Sequence, residues 1–225
     1  MKTVVITGAS RGIGLATAKK FLSEGWQVVG TSTSGRMDLE HEHLKNFQLD
    51  LSDSASIEIT ADKILSAIGN IDVLVNNAGV ALDSWDEGVN MEKVRKTFEV
   101  SLFGLIDFTE KMLPVINSGG HIVNLDSRYG SFSMPIDDDT SIGYRMAKAS
   151  LNMYTRFLAF RLQDKKITVS SIDPGWVKTD MGFAGATEDS KPDRDPVEPA
   201  REIYDLVNSD IDSGCFWYKG AKREW

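Results

Sequence analysis

The chain has 225 residues, and its 25 lysines and arginines against 33 aspartates and glutamates give a net charge of −8 at pH 7. This length suits one domain with a substantial core, and the acidic balance offers no basic face to follow a phosphate backbone, so nucleic acid is disfavoured as a partner. The single cysteine, Cys215, rules out an intramolecular disulfide and fits a reducing compartment, so a cytoplasmic location is expected.

Short apolar runs alternate with helical patterns along the whole chain. The runs predict strands at 3–7, 27–31, 47–48, 73–76, 122–125, 168–172 and 214–218. The patterns between them predict helices that begin near Ile13, Asp53, Met91, Ser141 and Glu198. No run approaches the ~18 apolar residues of a membrane span, so no membrane partner is expected. The alternation predicts an α/β fold, doubly wound around a mostly parallel sheet of about seven strands, with residues 1–225 as a single domain.

One segment does not follow this alternation of strand and helix patterns. Residues 182–196 are polar, charged and poor in core residues, so they are predicted to form a loop. Binding loops of open α/β folds gather at the carboxyl ends of the strands, and the segment is therefore expected on the substrate side. A solvated connection and a substrate-covering loop remain equally good interpretations.

A glycine-rich turn follows the first predicted strand. Gly8, Gly12 and Gly14 lie between that strand and the helix from Ile13. Such a turn brings backbone N–H groups close to a pyrophosphate, and the helix dipole adds to the attraction. The context of strand, turn and amphipathic helix predicts a dinucleotide site.

The end of the second strand bears on the choice between the two nicotinamide dinucleotides. An acid there would bind the ribose diol and repel a 2′-phosphate, but the sequence has Ser32 and Thr33. Arg11 and Arg36 could supply positive charge to a phosphate, although a solvated loop position is an equal alternative for Arg36. NADP(H) is therefore favoured over NAD(H).

A second motif places a phenol and an ammonium on one helix face. Tyr144 and Lys148 are four residues apart, about one helical turn. A free phenol titrates near ~10 and needs a neighbouring cation to exchange protons usefully at neutral pH. Lys148 is the candidate for that cation.

Taken together, these segments resemble the classical short-chain dehydrogenase/reductase family. The resemblance rests on the sequences TGASRGIG at 7–14, Asp50-Leu51, NNAG at 76–79, Ser127 with its surroundings, YRMAK at 144–148 and PGWVKTDM at 174–181. It is nearest to the carbonyl-reductase and C-factor-like branch, and it implies a Rossmann-type fold with Tyr144 as the general acid. Lys148 would lower the pKa of Tyr144 and hold the nicotinamide ribose, and Ser127 would hydrogen-bond the substrate oxygen.

The resemblance also implies which residues bind the cofactor. Besides Tyr144 and Lys148, these are Gly8, Ser10, Arg11, Gly12, Ile13, Gly14, Ser32, Thr33, Arg36, Asp50, Leu51, Asn77, Ala78, Gly79, Pro174, Gly175, Val177 and Thr179. Asp50 would face the adenine.

Two positions depart from the family's pattern. Ser101 stands where the family usually has an asparagine of its proton relay, and Asp126 stands where a small residue is common. Ser101 is kept as a catalytic candidate because a shorter hydroxyl could still orient a water next to Lys148. Activity is expected to be retained but slower.

The predicted function is NADP(H)-dependent reduction of a ketone or aldehyde, or the reverse alcohol oxidation, by hydride transfer with a small-molecule substrate. One alternative is reduction of a 3-oxoacyl group on a carrier protein, which the acidic run 137–139 and the net charge disfavour, since carrier proteins are acidic. Another is a non-catalytic protein that senses the dinucleotide or signals.

His41, His43 and His121 show no metal-ligand spacing, so no metal is expected. A homodimer or homotetramer is compatible with the apolar stripe of the helix that carries Tyr144.

Overall fold

The computed structural model describes residues 1–84 and 86–225. The strands are β1 (Thr3–Ile6), β2 (Gln27–Ser32), β3 (Leu44–Gln48), β4 (Ile71–Asn76), β5 (Ile116–Leu125), β6 (Thr168–Ile172), β7 (Cys215–Tyr218) and β8 (Ala221–Arg223). The α-helices are α1 (Gly12–Ser23), α2 (Ser54–Ile68), α3 (Met91–Phe98), α4 (Leu105–Met112), α5 (Ile142–Leu162), α6 (Asp180–Phe183) and α7 (Val197–Val207). The predicted strands and helices are thus present, with ends that differ by a few residues.

The strands form one sheet in the order β3-β2-β1-β4-β5-β6-β7-β8. Strands β1 to β7 pair in parallel, and β8 is antiparallel to β7. The strand order reverses between β1 and β4, and ligands of doubly wound folds bind at such a switch point. The predicted fold class is confirmed. The eighth strand arises from a tight turn at Lys219 and Gly220, both with positive φ, which folds the end of the chain back onto β7.

The core lies in two layers, one on each face of the sheet. Alternate strand residues point to opposite faces, so Val5 packs toward α2, α4 and α5 while Val4 packs toward α1 and α7. Both residues are fully buried. Helices on both faces explain why the central strands are apolar without alternation.

The predicted helix from Met91 is divided into three parts. Residues Glu99–Gly104 between α3 and α4 are π-helical. A methyl group at Gly104 would overlap the carbonyl oxygen of Leu51, so only glycine lets the helix pass this closely over the end of β3. The close approach fixes the position of Leu51, one of the predicted cofactor residues.

None of the helices within the described residues is long and apolar enough to cross a membrane. Within the same residues, no group of three or more His, Cys, Asp or Glu side chains could hold a metal ion.

The buried His121 makes the stability of the fold depend on pH. Its Nε2 lies 2.9 Å from Ser170 Oγ, and burial lowers its pKa from 6.5 to about 4. The folded state therefore binds fewer protons than the unfolded state between these values, and stability is lost as the pH falls from 6.5 toward 4. A shift of this size corresponds to about 3 kcal/mol of unfolding free energy.

We expect His121→Gln to flatten the pH dependence of the unfolding free energy, measured by urea denaturation between pH 7.5 and 4.5. His41→Gln, which removes an exposed imidazole, is the matched control and should leave that dependence unchanged. An equal slope in His121→Gln and the wild type would contradict the assignment.

Candidate active site

The glycine-rich turn after β1 is shaped by backbone contacts that leave no room for side chains. Gly8 and Gly12 have φ of 67° and 55°. A methyl group at Gly14 would overlap the Gly8 carbonyl oxygen. The N-terminus of α1 has no side-chain cap at Arg11, so the first-turn N–H groups face the cleft as donors for an anion.

The segment after β4 braces this turn from the other side of the switch point. The Thr7 hydroxyl accepts hydrogen bonds from the backbone N–H groups of Asn77 and Ala78, both at 3.0 Å. The Asn77 amide donates to the carbonyl oxygens of Thr7 at 2.8 Å and Gly8 at 3.0 Å. Two strand ends are thereby locked into one rigid edge.

A cleft of about 1170 Å³ opens above this edge and is larger than the ~300–1,000 Å³ of typical small-molecule sites. It brings together most of the predicted residues: Gly8, Ser10, Arg11, Gly12, Ile13, Ser32, Thr33, Asp50, Leu51, Asn77, Ala78, Gly79, Tyr144, Lys148, Pro174 and Thr179. A cleft of this volume that is lined by both the glycine-rich turn and the Tyr144 phenol fits a dinucleotide.

Six predicted residues do not line the cleft: Gly14, Arg36, Ser101, Ser127, Gly175 and Val177. Gly14 packs behind the turn, and Val177 is buried. Gly175 has φ of 74° and packs against Arg194. Arg36 is exposed on the loop after β2, so its contact with a phosphate stays a prediction.

Where β2 ends and α1 begins, the cleft is lined by hydroxyls and by the guanidinium of Arg11. Arg11 forms an ion pair with Asp180 at 3.1 Å, and both side chains are largely exposed. Asp50 Oδ1 accepts from the Ser52 N–H at 2.9 Å and the Ser52 hydroxyl at 2.6 Å. These hydrogen bonds lower the pKa of Asp50 and fix its orientation.

Helix α5, which carries Tyr144 and Lys148, is capped by a residue that sequence reasoning missed. The buried Asp83 carboxylate accepts hydrogen bonds from the backbone N–H groups of Gly143 and Tyr144. Ser141, at the N-cap, has the left-handed φ of 58° and makes no side-chain cap. Because Asp83 lies about 60 positions upstream in an irregular loop, no local pattern signals its role.

Tyr144, Lys148 and Ser127 meet where β5 ends. Lys148 Nζ donates to the Leu125 carbonyl oxygen at 2.6 Å and lies 5.7 Å from the centre of the Tyr144 ring. Ser127 follows β5 in extended conformation and accepts from the Tyr129 N–H at 3.2 Å. Burial and the negative charge of Asp126 raise the pKa of Tyr144, while a hydrogen bond with Ser127 lowers it. The net direction is opposite to the lowering that the sequence predicts from Lys148, because desolvation of the phenol is the largest effect.

Ser101 lies in the π-helical segment and is fully buried. Its hydroxyl accepts from the Val80 N–H at 2.9 Å and donates to the Val80 carbonyl oxygen at 3.1 Å. The Ser101 hydroxyl therefore uses its proton and one of its lone pairs in hydrogen bonds to the backbone of Val80. Ser101 holds the wall of the cleft at Gly79 and Val80.

Asp126, directly before Ser127, is a carboxyl group with 2% of its surface exposed. One oxygen, Oδ1, accepts from the Ser127 N–H at 2.8 Å, and no described residue donates to the other, Oδ2. Burial raises the pKa of Asp126 to about 7, against the opposing effect of Lys148. Burial also lowers the pKa of Lys148, and Asp126 raises it. The site thus holds a buried acid and a buried base that affect each other's charge.

The predicted loop 182–196 is held at both ends. Trp176 Nε1 donates to the Gly182 carbonyl oxygen at 2.7 Å. At the other end, Arg194 is 4% exposed, donates to the Pro174 carbonyl oxygen at 2.6 Å and forms an ion pair with Glu202 of α7. Between these anchors, Pro192 is buried, Gly185 and Ala186 are half-buried, and the other residues are exposed. Sequence reasoning treated Arg194 as one more charge of a polar stretch and missed the anchor.

The acidic run 137–139 is partly neutralised by Arg145 of α5. Arg145 forms a bidentate ion pair with Asp138, with both bonds at 2.9 Å. Its guanidinium also lies 4.2 Å from the centre of the Tyr129 ring. Phe132 and Ile136 on the same segment are exposed by 87% and 82%. The segment before α5 therefore combines exposed apolar side chains with a paired acid.

Comparison with known proteins agrees with this geometry. The profile of the short chain dehydrogenase family matches residues 2–189. The 3-oxoacyl-[acyl-carrier-protein] reductase FabG of Escherichia coli is 31% identical over 187 residues, which cover 80% of this chain and 75% of that protein. NADPH-bound carbonyl reductase from chicken fatty liver shares the fold, with a TM-score of 0.89 at 24% identity over 100% of this chain and 94% of that one. A short chain dehydrogenase from Burkholderia cenocepacia, in complex with NADP, has a TM-score of 0.81 at 26% identity, with 98% of both chains covered.

The Asp83 cap yields a prediction for stability and turnover. Because Asp83→Ala leaves two N–H groups of α5 without an acceptor in a buried place, we expect a loss of about 2 kcal/mol of unfolding free energy and slower turnover. Asn90→Ala removes an ordinary exposed cap from α3 and should cost only about 1 kcal/mol with unchanged turnover. Urea denaturation and steady-state kinetics of both variants test this, and equal effects would argue against a special role of Asp83.

Proposed function

The chain belongs to the short-chain dehydrogenase family, and from this premise we propose that it reduces a ketone or aldehyde with NADPH, or oxidises the corresponding alcohol with NADP. Membership makes it an oxidoreductase with a fold that binds a nicotinamide dinucleotide. Carbonyl reduction as the direction, NADPH as the preferred cofactor and a small carbonyl compound as the substrate are the finer parts of the proposal.

One observation carries the proposal most directly. The glycine cradle of α1 and the Tyr144 and Lys148 side chains line the same cleft, although more than a hundred residues separate them in sequence. An anion-binding turn alone is compatible with many nucleotide-binding proteins. A phenol and an ammonium in the same cleft add the proton donor and the positive charge that carbonyl reduction requires.

The proposed roles follow from the chemistry of each side chain. A bound NADPH supplies the hydride. Tyr144 gives its phenolic proton to the carbonyl oxygen, which becomes the alcohol oxygen, and Ser127 orients that oxygen with its hydroxyl. The Lys148 ammonium, fixed by the Leu125 carbonyl, stabilises negative charge on the phenolic oxygen and holds the ribose.

The preference for NADPH rests on the residues at the end of β2. Ser32 and Thr33 line the cleft there without an acidic side chain, and Arg11 lies opposite at the start of α1. Hydroxyls and a guanidinium are donors for a 2′-phosphate. The Burkholderia relative in complex with NADP supports the same preference.

Residues 182–196 are proposed as the substrate-side loop. Their two anchors lie at the carboxyl ends of the strands, where ligands of this fold class bind. Met181, directly before the segment, and Pro196, at its end, line the cleft. Because both ends are held, a change of loop conformation would occur between Gly182 and Arg194.

Reduction of a 3-oxoacyl group on a carrier protein is the second candidate. The Escherichia coli reductase at 31% identity supports it. The net charge of −8 disfavours docking of an acidic carrier, although Arg145 neutralises part of the acidic run 137–139. The two candidates are separated by comparing kcat/KM for an acyl group on a carrier protein with kcat/KM for its small thioester analogue. An enzyme that recognises the carrier protein should have a much higher kcat/KM for the carrier-bound substrate.

The proposed roles predict the effect of two substitutions. Tyr144→Phe and Ser127→Ala should each lower turnover by about 10²–10⁴-fold, because the proton donor or its partner is removed. Turnover is measured as NADPH oxidation at about 340 nm with a panel of ketones, aldehydes, quinones and diketones, and NADPH affinity by fluorescence titration should change little. Tyr154→Phe, which removes a phenol from the same helix, is the control and should keep full activity. Tight NADPH binding by the wild type without turnover of any carbonyl compound would favour the sensing alternative.

The cofactor preference predicts the result of adding an acid at the end of β2. Thr33→Asp should weaken NADPH binding at least about tenfold through repulsion of the 2′-phosphate, while NADH binding is unchanged or improved. Ser66→Asp adds the same charge on the exposed face of α2 and controls for net charge. Equal weakening for NADPH and NADH would contradict the proposed preference.

A further inference from the structure

The carboxyl group of Asp126 is the strongest unexplained feature of the site. It lines the cleft between the end of β5 and helix α5, yet only 2% of its surface is exposed. Its Oδ1 is occupied by the Ser127 N–H, and no described residue donates a hydrogen bond to Oδ2. Burying a carboxylate oxygen without a hydrogen-bond donor destabilises the folded state, so a functional reason for its presence is expected.

The other groups around Asp126 leave Lys148 as its counter-charge. From β6, the Ser171 hydroxyl is near enough to lower the pKa of Asp126, but it donates its hydrogen bond to Asn152 Oδ1 at 2.8 Å. Asp173, which follows β6, is paired with Arg223 of β8 at 2.7 Å. From α5, the Tyr144 phenol and the Lys148 ammonium are near enough for the charge of Asp126 to raise the pKa of both groups. Since Arg223 is already paired, Lys148 is the cation that remains to act on Asp126 among the residues that the structure describes.

Lys148 in turn has few other partners. Its ammonium can donate three hydrogen bonds, and the structure gives it one acceptor, the Leu125 carbonyl oxygen. Ser101 lies near the same place, since a methyl group at Gly79 would be 3.4 Å from Ser101 Oγ and 4.0 Å from Lys148 Nζ. Its hydroxyl is committed to Val80, however, and carries no charge. Asp126 is therefore the buried group that can balance the charge of Lys148.

We propose that Asp126 is a positioning residue of the reaction, whose carboxylate keeps Lys148 charged and Tyr144 protonated and so extends carbonyl reduction to higher pH. This inference rests on the proposed function, because it acts through Tyr144 and Lys148. A negative charge next to a phenol disfavours the phenolate, and the same charge next to an ammonium disfavours its loss of a proton. Both effects keep the proton-donating form of the site.

The electrostatics of the site give the expected dependence on pH. The pKa of Asp126 is raised to about 7 by burial, so below pH 6 the carboxyl is neutral and its influence vanishes. Above pH 8 the carboxylate is charged and holds the proton on Tyr144. The influence of Asp126 should therefore appear only as the pH rises through the neutral range.

The experiment compares the pH profile of kcat/KM for NADPH-dependent carbonyl reduction in the wild type and in Asp126→Asn, which keeps the Oδ1 acceptor for Ser127. We expect similar rates below pH 6 and a wild-type advantage that grows above pH 8 and approaches about tenfold on the alkaline limb, because that limb moves about one unit lower in the variant. Asp126→Ser should show the same pH profile as Asp126→Asn. Agreement between the two variants would show that the effect does not come from a folding defect of one of them. Asp62→Asn removes an exposed carboxylate of α2 and should leave the profile unchanged.

A second measurement does not need turnover. Tyrosine labelled with ¹³C at Cζ reports ionisation of the phenol by NMR, and the Tyr144 signal is identified by its loss in Tyr144→Phe. The Tyr144 signal of Asp126→Asn should begin to titrate at lower pH than that of the wild type. A constant ratio of rates across pH, or an unchanged Tyr144 titration, would overturn the proposal. Absence of turnover in the wild type would refute the proposed function instead, and the NMR titration would still decide the role of Asp126.

Discussion

The structure depends on the close approach of two backbone segments at the point where the strand order reverses. Gly14 packs against the Gly8 carbonyl with no space for a side chain, and the Asn77 amide binds the same carbonyl from the end of β4. This contact joins β1, α1 and β4 into one rigid edge and leaves the first-turn N–H groups of α1 open to the cleft. An anion-binding position at the switch point of the sheet is the direct consequence.

The chemistry of the site depends on how helix α5 is held against this edge. Asp83 caps its N-terminus, and Lys148 binds the Leu125 carbonyl at the end of β5. A methyl group at Gly130 would lie 2.5 Å from the carbonyl carbon of Lys148, so the turn after Ser127 packs directly on the helix. These contacts bring the phenol, the ammonium and a buried carboxyl into one desolvated region, where each charge alters the proton affinity of the others.

The sequence predicted the features that depend on local patterns. The glycine turn and the spacing of Tyr144 and Lys148 are encoded within a few residues, and parallel strands carry a plain apolar signature. Three contacts could not be predicted from local patterns: the Asp83 cap, the Arg194 anchor and the hydrogen bonds between Ser101 and Val80. Each joins residues that are distant in sequence or that lie in irregular segments. The eighth strand was not predicted for a related reason, because Ala221–Arg223 is short and polar and is formed only by pairing with β7.

Direct transfer of hydride from the bound dinucleotide to a carbonyl carbon can be followed with an isotope label. The protein would be incubated with a carbonyl substrate and NADPH deuterated at the transferable position of C4, and the alcohol analysed by mass spectrometry and NMR. We expect deuterium on the carbinol carbon, and none there when unlabelled NADPH is used in D₂O. Carbinol deuterium that comes from the solvent, or no alcohol although the cofactor is bound, would contradict direct transfer.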